Sequence, residues 1–214
     1  MSRGRFIVLE GLDGAGTTTQ TARLVSALRA RGVFARGTRE PSDGPIGTMI
    51  RQVLSGRFVL PGGRAPGWAT MALLFAADRL DHVEAEIAPV LERGGVIVSD
   101  RYDASSLAYQ SVTSAREGAV DFIRTANAQA LRPDVTVVVN VPAEEAARRR
   151  ESRGEAAQLY EQSEVQRALA AFYKDLPTHM PRDRVVLVDG VGTEDEVHAR
   201  IVAAIESTCG WPEA

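Results

Sequence analysis

Soft metal ligands are scarce in this 214-residue chain, which has one cysteine, Cys209, and three histidines, His82, His179 and His198, all far apart. No set of them has the spacing of a zinc site, and Cys209 is left without a chemical role. A surplus of either charge is missing too. The formal net charge is -3, with no acidic tail and no basic stripe, which excludes an electrostatic grip on DNA, RNA or anionic lipid and points to small-molecule partners. No apolar run approaches the roughly 18 residues of a membrane helix. Residues 1–5 lead straight into a strand-like run without the apolar stretch of a signal peptide. The expectation is a soluble, cytoplasmic protein with no nucleic-acid or membrane partner.

What is present is a hydrophobic content of 44%, enough to build one full core over residues 1–214. Four short runs are rich in β-branched residues and almost unbroken in hydrophobicity: 6–9, 95–99, 135–141 and 185–188. Strands with one wet face alternate; these do not, so they read as buried parallel strands. A weaker run at 33–38 is interrupted by Arg36 and Gly37 and belongs at or near an edge. Helical stretches separate the runs, at 18–31, 67–92, 117–130, 143–151, 164–175 and 194–207. Residues 55–66, with Gly56, Pro61, Gly62, Gly63 and Pro66, read as a long surface loop. Strand alternating with helix predicts an α/β fold, a doubly wound five-stranded parallel sheet flanked by helices.

The first strand runs into a glycine-rich turn and then a helix, the context a phosphate-binding P-loop requires. Gly11, Gly14, Ala15 and Gly16 let backbone N–H groups converge on phosphate oxygens, and the helix beginning with Thr17, Thr18 and Thr19 adds its free N–H groups and positive dipole end. Thr18 fills the hydroxyl position that coordinates Mg²⁺. The residue before it should be a lysine reaching the β- and γ-phosphates, but Thr17 stands there. Either another cation replaces that charge or turnover is slow or absent.

Further along, a helix over residues 73–83 puts Phe75, Asp78, Arg79 and His82 on one stripe and Leu73, Ala76, Ala77 and Leu80 on the other. A flat aromatic one turn from a guanidinium suits a base held by stacking and by a hydrogen bond to a carbonyl. Asp100 and Arg101 follow a buried strand, at the carboxyl edge where open α/β sheets bind ligands. Arg148, Arg149, Arg150 and Arg153 precede Gly154 in an arginine-rich stretch.

Together these segments resemble the thymidylate kinase family of P-loop nucleoside-monophosphate kinases. GLDGAGTTTQ (11–20) resembles its phosphate loop, which ordinarily ends Lys-Thr-Thr-Gln; TREP (38–41), LLFAADR (73–79) and SDRYDASSLAYQ (99–110) follow in the family's order. The resemblance spans roughly residues 5–205 and implies transfer of the γ-phosphate of ATP to dTMP, giving dTDP and ADP, with Mg²⁺ as cofactor. It implies that Phe75 stacks on thymine, that Arg79 contacts it, and that Ser106, Tyr109 and Gln110 line the base and sugar pocket, with Tyr109 crowding a ribose 2′-hydroxyl. Asp13 would meet the acceptor's sugar or phosphate, Arg39 its phosphate, and Arg101 would bridge the donor and acceptor phosphates. Thr18, Asp100 and Glu161 would serve the metal.

The arginine-rich stretch resembles the lid of such kinases, here residues 148–161, although the arginine beside Glu161 is absent. Arg149 and Arg153 are therefore the expected replacements for the lost lysine. Adenine would rest near residues 189–193. A homodimer is also implied. A nucleotide-binding protein with little turnover and a kinase for another pyrimidine monophosphate stand as alternatives.

Overall fold

The computed structural model describes residues 4–114, 116–153 and 163–211, with only the backbone of Arg153. Five strands, β1 (Arg5–Gly11), β2 (Ala35–Arg39), β3 (Val96–Asp100), β4 (Val135–Asn140) and β5 (Val185–Asp189), form one parallel sheet in the order β2-β3-β1-β4-β5. The expected fold class is thus found, and the interrupted run at residues 33–38 is an edge strand as its composition implied.

The helices are α1 (Thr17–Ala30), α2 (Pro45–Leu54), α3 (Trp68–His82), α4 (Ala88–Glu92), α5 (Asp103–Ser114), α6 (Ala119–Ala126), α7 (Ala143–Arg153), α8 (Ser163–Lys174), α9 (Leu176–His179) and α10 (Glu194–Cys209). A capping box of Thr193 and Glu196 starts α10. The single helix expected over 67–92 is instead α3, a π-helical turn at Val83–Ile87, and α4. Pro89, which has no N–H to donate, sits in the first turn of α4, where none is needed.

Side chains alternate across β1 and divide the core into two faces. Phe6 and Val8 pack with Ile87, Val90, Ile97 and Tyr102, whereas Ile7 and Leu9 pack with Leu24, Leu28, Val96 and Val98. Phe6 and Tyr102 meet edge to face at 4.9 Å. Covered on both sides, β1 places its carboxyl end between those of β3 and β4, with Leu9 opposite Asp100 and Gly11 opposite Val139. This is where a doubly wound sheet opens a crevice.

Of the two stripes of α3, the one that carries the charged residues faces inward. Asp78, Arg79 and His82 are buried, while Leu73 and Leu80 are 53% and 42% exposed. The polar residues turn inward because each finds a partner. Asp78 accepts from Ser42 N–H and Oγ at 2.8 and 2.6 Å, Arg79 pairs with Glu40 at 2.6 Å, and His82 Nε2 lies 2.7 Å from Thr38 Oγ1. Buried polar groups are stable when so satisfied.

Candidate active site

Residues 11–16, from the last residue of β1 onward, form the phosphate loop. Gly14 and Gly16 have φ of 94° and 92°, a left-handed conformation that favours glycine. A Cβ on Gly14 would also stand 2.3 Å from the Ala146 carbonyl oxygen, so α7 lies directly on the loop. No side chain caps α1 at Gly16, which leaves the start of the helix able to receive an anion. Thr17 is buried, its Cγ2 3.6 Å from where a Gly11 Cβ would be.

Thr18 Oγ1 donates to Asp100 Oδ2 at 2.5 Å, and the other Asp100 oxygen is buried with no hydrogen bond. A hydroxyl and a carboxylate with a lone pair to spare, beside a phosphate loop, fit Mg²⁺, which takes few protein ligands and completes its shell with water and phosphate. Glu161, the other expected metal residue, lies outside the described residues, as does most of the expected lid, 148–161, beyond the end of α7.

Next to the loop is a cavity of about 200 Å³. Of the expected acceptor residues, Asp13, Phe75, Arg79, Arg101, Ser106, Tyr109 and Gln110 all line it; so do Glu40, Pro41, Leu54, Tyr102 and Ser105. Arg39 does not. Its guanidinium is 61% exposed and bonded to Asp43 at 2.8 Å. A larger groove of about 830 Å³ runs past Arg132, Asp134 and Arg184, before β4 and β5, and holds none of the loop or acceptor residues. The smaller cavity is the one that adjoins the phosphate loop, which makes it the candidate acceptor site.

Arg101 has a φ of 72°, strained for a side chain of its size, and is held from several sides. Its Nη2 donates to Asp13 Oδ1 at 2.7 Å and its Nη1 to Ser105 Oγ at 2.9 Å, with Tyr173 Oη at 3.3 Å. Burial works against its charge, but Tyr109 and Asp13 outweigh that and keep the guanidinium charged. Beneath it, Glu10 accepts from Tyr102 N–H, Ser105 N–H, Ser105 Oγ and Tyr173 Oη at 2.6 to 3.1 Å. Burial nonetheless pushes the Glu10 carboxyl up to about 7, against the pull of Arg101 and these donors.

Tyr109 donates to Asp13 Oδ2 at 2.9 Å. Gln110 is 1% exposed, and its Oε1 has no partner. Arg79 is a buried pillar, with Tyr102 O and Ser106 Oγ both at 3.1 Å, Glu40 at 2.6 Å and a further bond to Asn127.

The expected lid arginines separate. Arg149 donates to Glu145 at 2.9 Å and to the Gly190 carbonyl at 3.1 Å, beside the turn after β5. Arg150 instead bonds the Asp13 carbonyl within the loop. The sequence reading missed Glu10, Tyr173 and the special position of Arg150. The one available signal was spacing: Arg150 lies four residues from Ala146, whose fully buried side chain marks the inner face of α7.

Asp13 belongs both to the phosphate loop and to the cavity. Two adjoining sites that share one residue allow direct transfer of a phosphoryl group between two bound molecules, so the class is a P-loop phosphotransferase with its own acceptor cavity. The thymidylate kinase family model matches residues 9–201. A probable thymidylate kinase of Pyrococcus abyssi is 37% identical over 95% of this chain and 97% of its own length. The thymidylate kinase of Alkalilimnicola ehrlichii is 42% identical over 76% of this chain and 73% of its own. The solved thymidylate kinase of Candida albicans superposes with a TM-score of 0.79 at 25% identity, covering 97% of this chain and 93% of that one. This chain belongs to the thymidylate kinase family and is an ATP-dependent phosphotransferase.

Proposed function

We propose that the chain transfers the γ-phosphate of ATP to dTMP, with the acceptor in the cavity of Phe75 and Gln110 and the donor on the loop of residues 11–19. The observation that carries this reading is the cavity itself. It offers an aromatic face, Phe75, and a buried acceptor without a donor, Gln110 Oε1, suited to the ring N–H of a thymine. Tyr109, bonded to Asp13 at 2.9 Å, fills space that a ribose 2′-hydroxyl needs.

The acceptor is a phosphate monoester, ionised near neutral pH, so its oxygen attacks without a general base. The bond from the γ-phosphorus to the acceptor oxygen forms as the bridging bond to the β-phosphate breaks, releasing ADP. The protein's task is alignment and charge screening. Arg101, fixed by Asp13 and Ser105, bridges the two phosphates. Arg39 leaves Asp43 to meet the acceptor phosphate, and Arg149 and Arg153 close over the donor, with adenine against the Gly190 turn that Arg149 touches. Thr18 and Asp100, together with Glu161, would hold Mg²⁺, which when bound neutralises phosphate charge.

The exposed stripe of Leu73, Ala77 and Leu80 on α3 supports a homodimer through that face. No helix among the described residues is long and apolar enough to cross a membrane; with the small net charge this supports a cytoplasmic location. Purified protein supplied with ATP and a panel of dTMP, dUMP, UMP and dCMP tests the assignment through ADP release and product identity. Preference for dTMP is expected; equal turnover of UMP, or no dTDP at high enzyme, overturns it.

A further inference from the structure

The phosphate loop lacks its usual cation, and the structure offers a specific substitute. Arg150 projects from α7 and its Nη1 donates to the carbonyl oxygen of Asp13, inside the loop. Its stem lies along the loop, with Cγ 3.2 Å from where a Gly14 Cβ would be. Only 8% of the residue is exposed. Its other partner is Gln166 Oε1 at 3.4 Å, again a neutral oxygen. No carboxylate among the described residues forms an ion pair with it.

A nearly buried guanidinium without a counter-charge is costly, because desolvation is not offset by an opposite charge. Such a group, resting on a phosphate-binding loop, marks a place prepared for an anion. Three other arginines of the proposed site each have a carboxylate partner in this structure: Arg101 has Asp13, Arg149 has Glu145 and Arg39 has Asp43. Arginine also suits the position physically. It keeps its proton under desolvation that would strip a lysine, and its planar fork offers further N–H groups to phosphate oxygens beyond the one on the loop.

We infer that Arg150 contacts the terminal phosphates of bound ATP and supplies, from α7, the charge that a lysine at position 17 would have supplied from the loop. This rests on the kinase reading above. The role differs from that of Arg149, whose guanidinium is turned to the Gly190 carbonyl, at the far end of the nucleotide.

Rescue between two positions tests it. Arg150→Gln keeps an N–H donor for the loop carbonyl but removes the charge. The turnover number should fall about 100-fold, the scale for losing one transition-state charge contact, with KM for dTMP and the melting temperature little changed. Affinity for ATP, titrated without dTMP, should fall about tenfold if ground-state contact accounts for half of that effect on a logarithmic scale. Adding Thr17→Lys should then restore turnover at least tenfold, because the lysine supplies the charge and the lost guanidinium leaves it room. Turnover of Arg150→Gln within about threefold of the parent, or a double variant no faster than Arg150→Gln, overturns the inference.

Should Arg150→Gln fail to fold, Arg150→Lys is read instead. Retention of at least about a tenth of parental turnover supports a charge role, and a folded protein with the full 100-fold loss opposes it. If the parent itself phosphorylates none of the monophosphates, the kinase reading falls, while the ATP titration of Arg150→Gln still decides this inference separately.

Discussion

Replacing Arg79 with methionine should destabilise the fold far more than it alters surface charge, because the guanidinium is an internal strut. Its side chain is 1% exposed and that of its partner Glu40 2% exposed, at 2.6 Å. Burial opposes the charge of Arg79, and Glu40 is the main group restoring it. Methionine keeps much of the volume but leaves the Glu40 carboxylate with His82 Nδ1 at 3.3 Å as its remaining side-chain partner. It also strips a donor from Ser106, Asn127 and the Tyr102 carbonyl. Breaking one side of a buried ion pair costs about 3–5 kcal/mol. For a chain of this size, where 1 kcal/mol moves the melting temperature by about 2–4 °C, that is a fall of roughly 6–20 °C. Urea unfolding of the parent, Arg79→Met and Arg79→Met with Glu40→Gln measures it. The double variant should recover a large part of the loss, because the stranded charge is gone. A single variant within about 1 kcal/mol of the parent, below the range for a broken buried pair, or a double variant less stable than the single, refutes the reasoning.

Phe75→Ala removes the aromatic face of the cavity; with base stacking contributing about 1–3 kcal/mol, KM for dTMP should rise roughly 5- to 150-fold while turnover at saturation changes little. A fall in turnover with KM unchanged would contradict a stacking role. Glu10 carries its proton in the folded state up to about 7, above its ordinary value of 4.5, so its contribution to stability is greatest at low pH and is lost as pH rises through that window. The melting temperature of the parent relative to Glu10→Gln should therefore fall from pH 5 to pH 8, and a constant difference across this range would show that Glu10 does not titrate there. Leu80→Asp, on the exposed α3 stripe, should convert a dimer to a monomer in sedimentation without lowering the melting temperature of the isolated subunit; an unchanged sedimentation coefficient would remove α3 from the interface.

The strands were legible because a parallel sheet covered on both faces demands nearly continuous β-branched residues, as in Val135–Asn140. The acceptor cavity was largely legible too, since Phe75, Tyr109 and Gln110 lie in motifs whose order is informative. The inward face of α3 was not. Local periodicity puts Arg79 and Leu80 on different stripes without saying which is inside, and partners distant in the chain, Glu40 and Asn127, hold Arg79 inward. Helix α2 carries Pro45 and Gly47, residue types that ordinarily argue against a helix. Pro45 is in its first turn, and Gly47 lets the helix approach Ser42, where a Cβ would be 2.1 Å from the carbonyl oxygen. Within the arginine run, composition could not tell Arg149 from Arg150, although a single residue turns one toward Gly190 and the other toward the loop.

Asp13 joins the two halves of the site. Its carboxylate bonds Arg101 and Tyr109 on the side of the cavity, and its carbonyl accepts from Arg150 on the side of α7. Cationic side chains thus converge on one loop residue from the turn after β3 and from α7, and none comes from the start of α1, where Thr17 is buried. The chain has one lysine in all, Lys174, and the cations of this site, the buried Arg79 and Arg150 and the partly buried Arg101, are guanidinium groups. That choice is physically coherent. Burial works against any cation here, and arginine keeps its proton under desolvation that would strip a lysine. An ammonium at position 17 beside the Arg150 already resting on the loop would add repulsion before ATP arrives. On this reasoning Thr17→Lys alone should gain nothing over the parent, and its value appears only once Arg150 is gone.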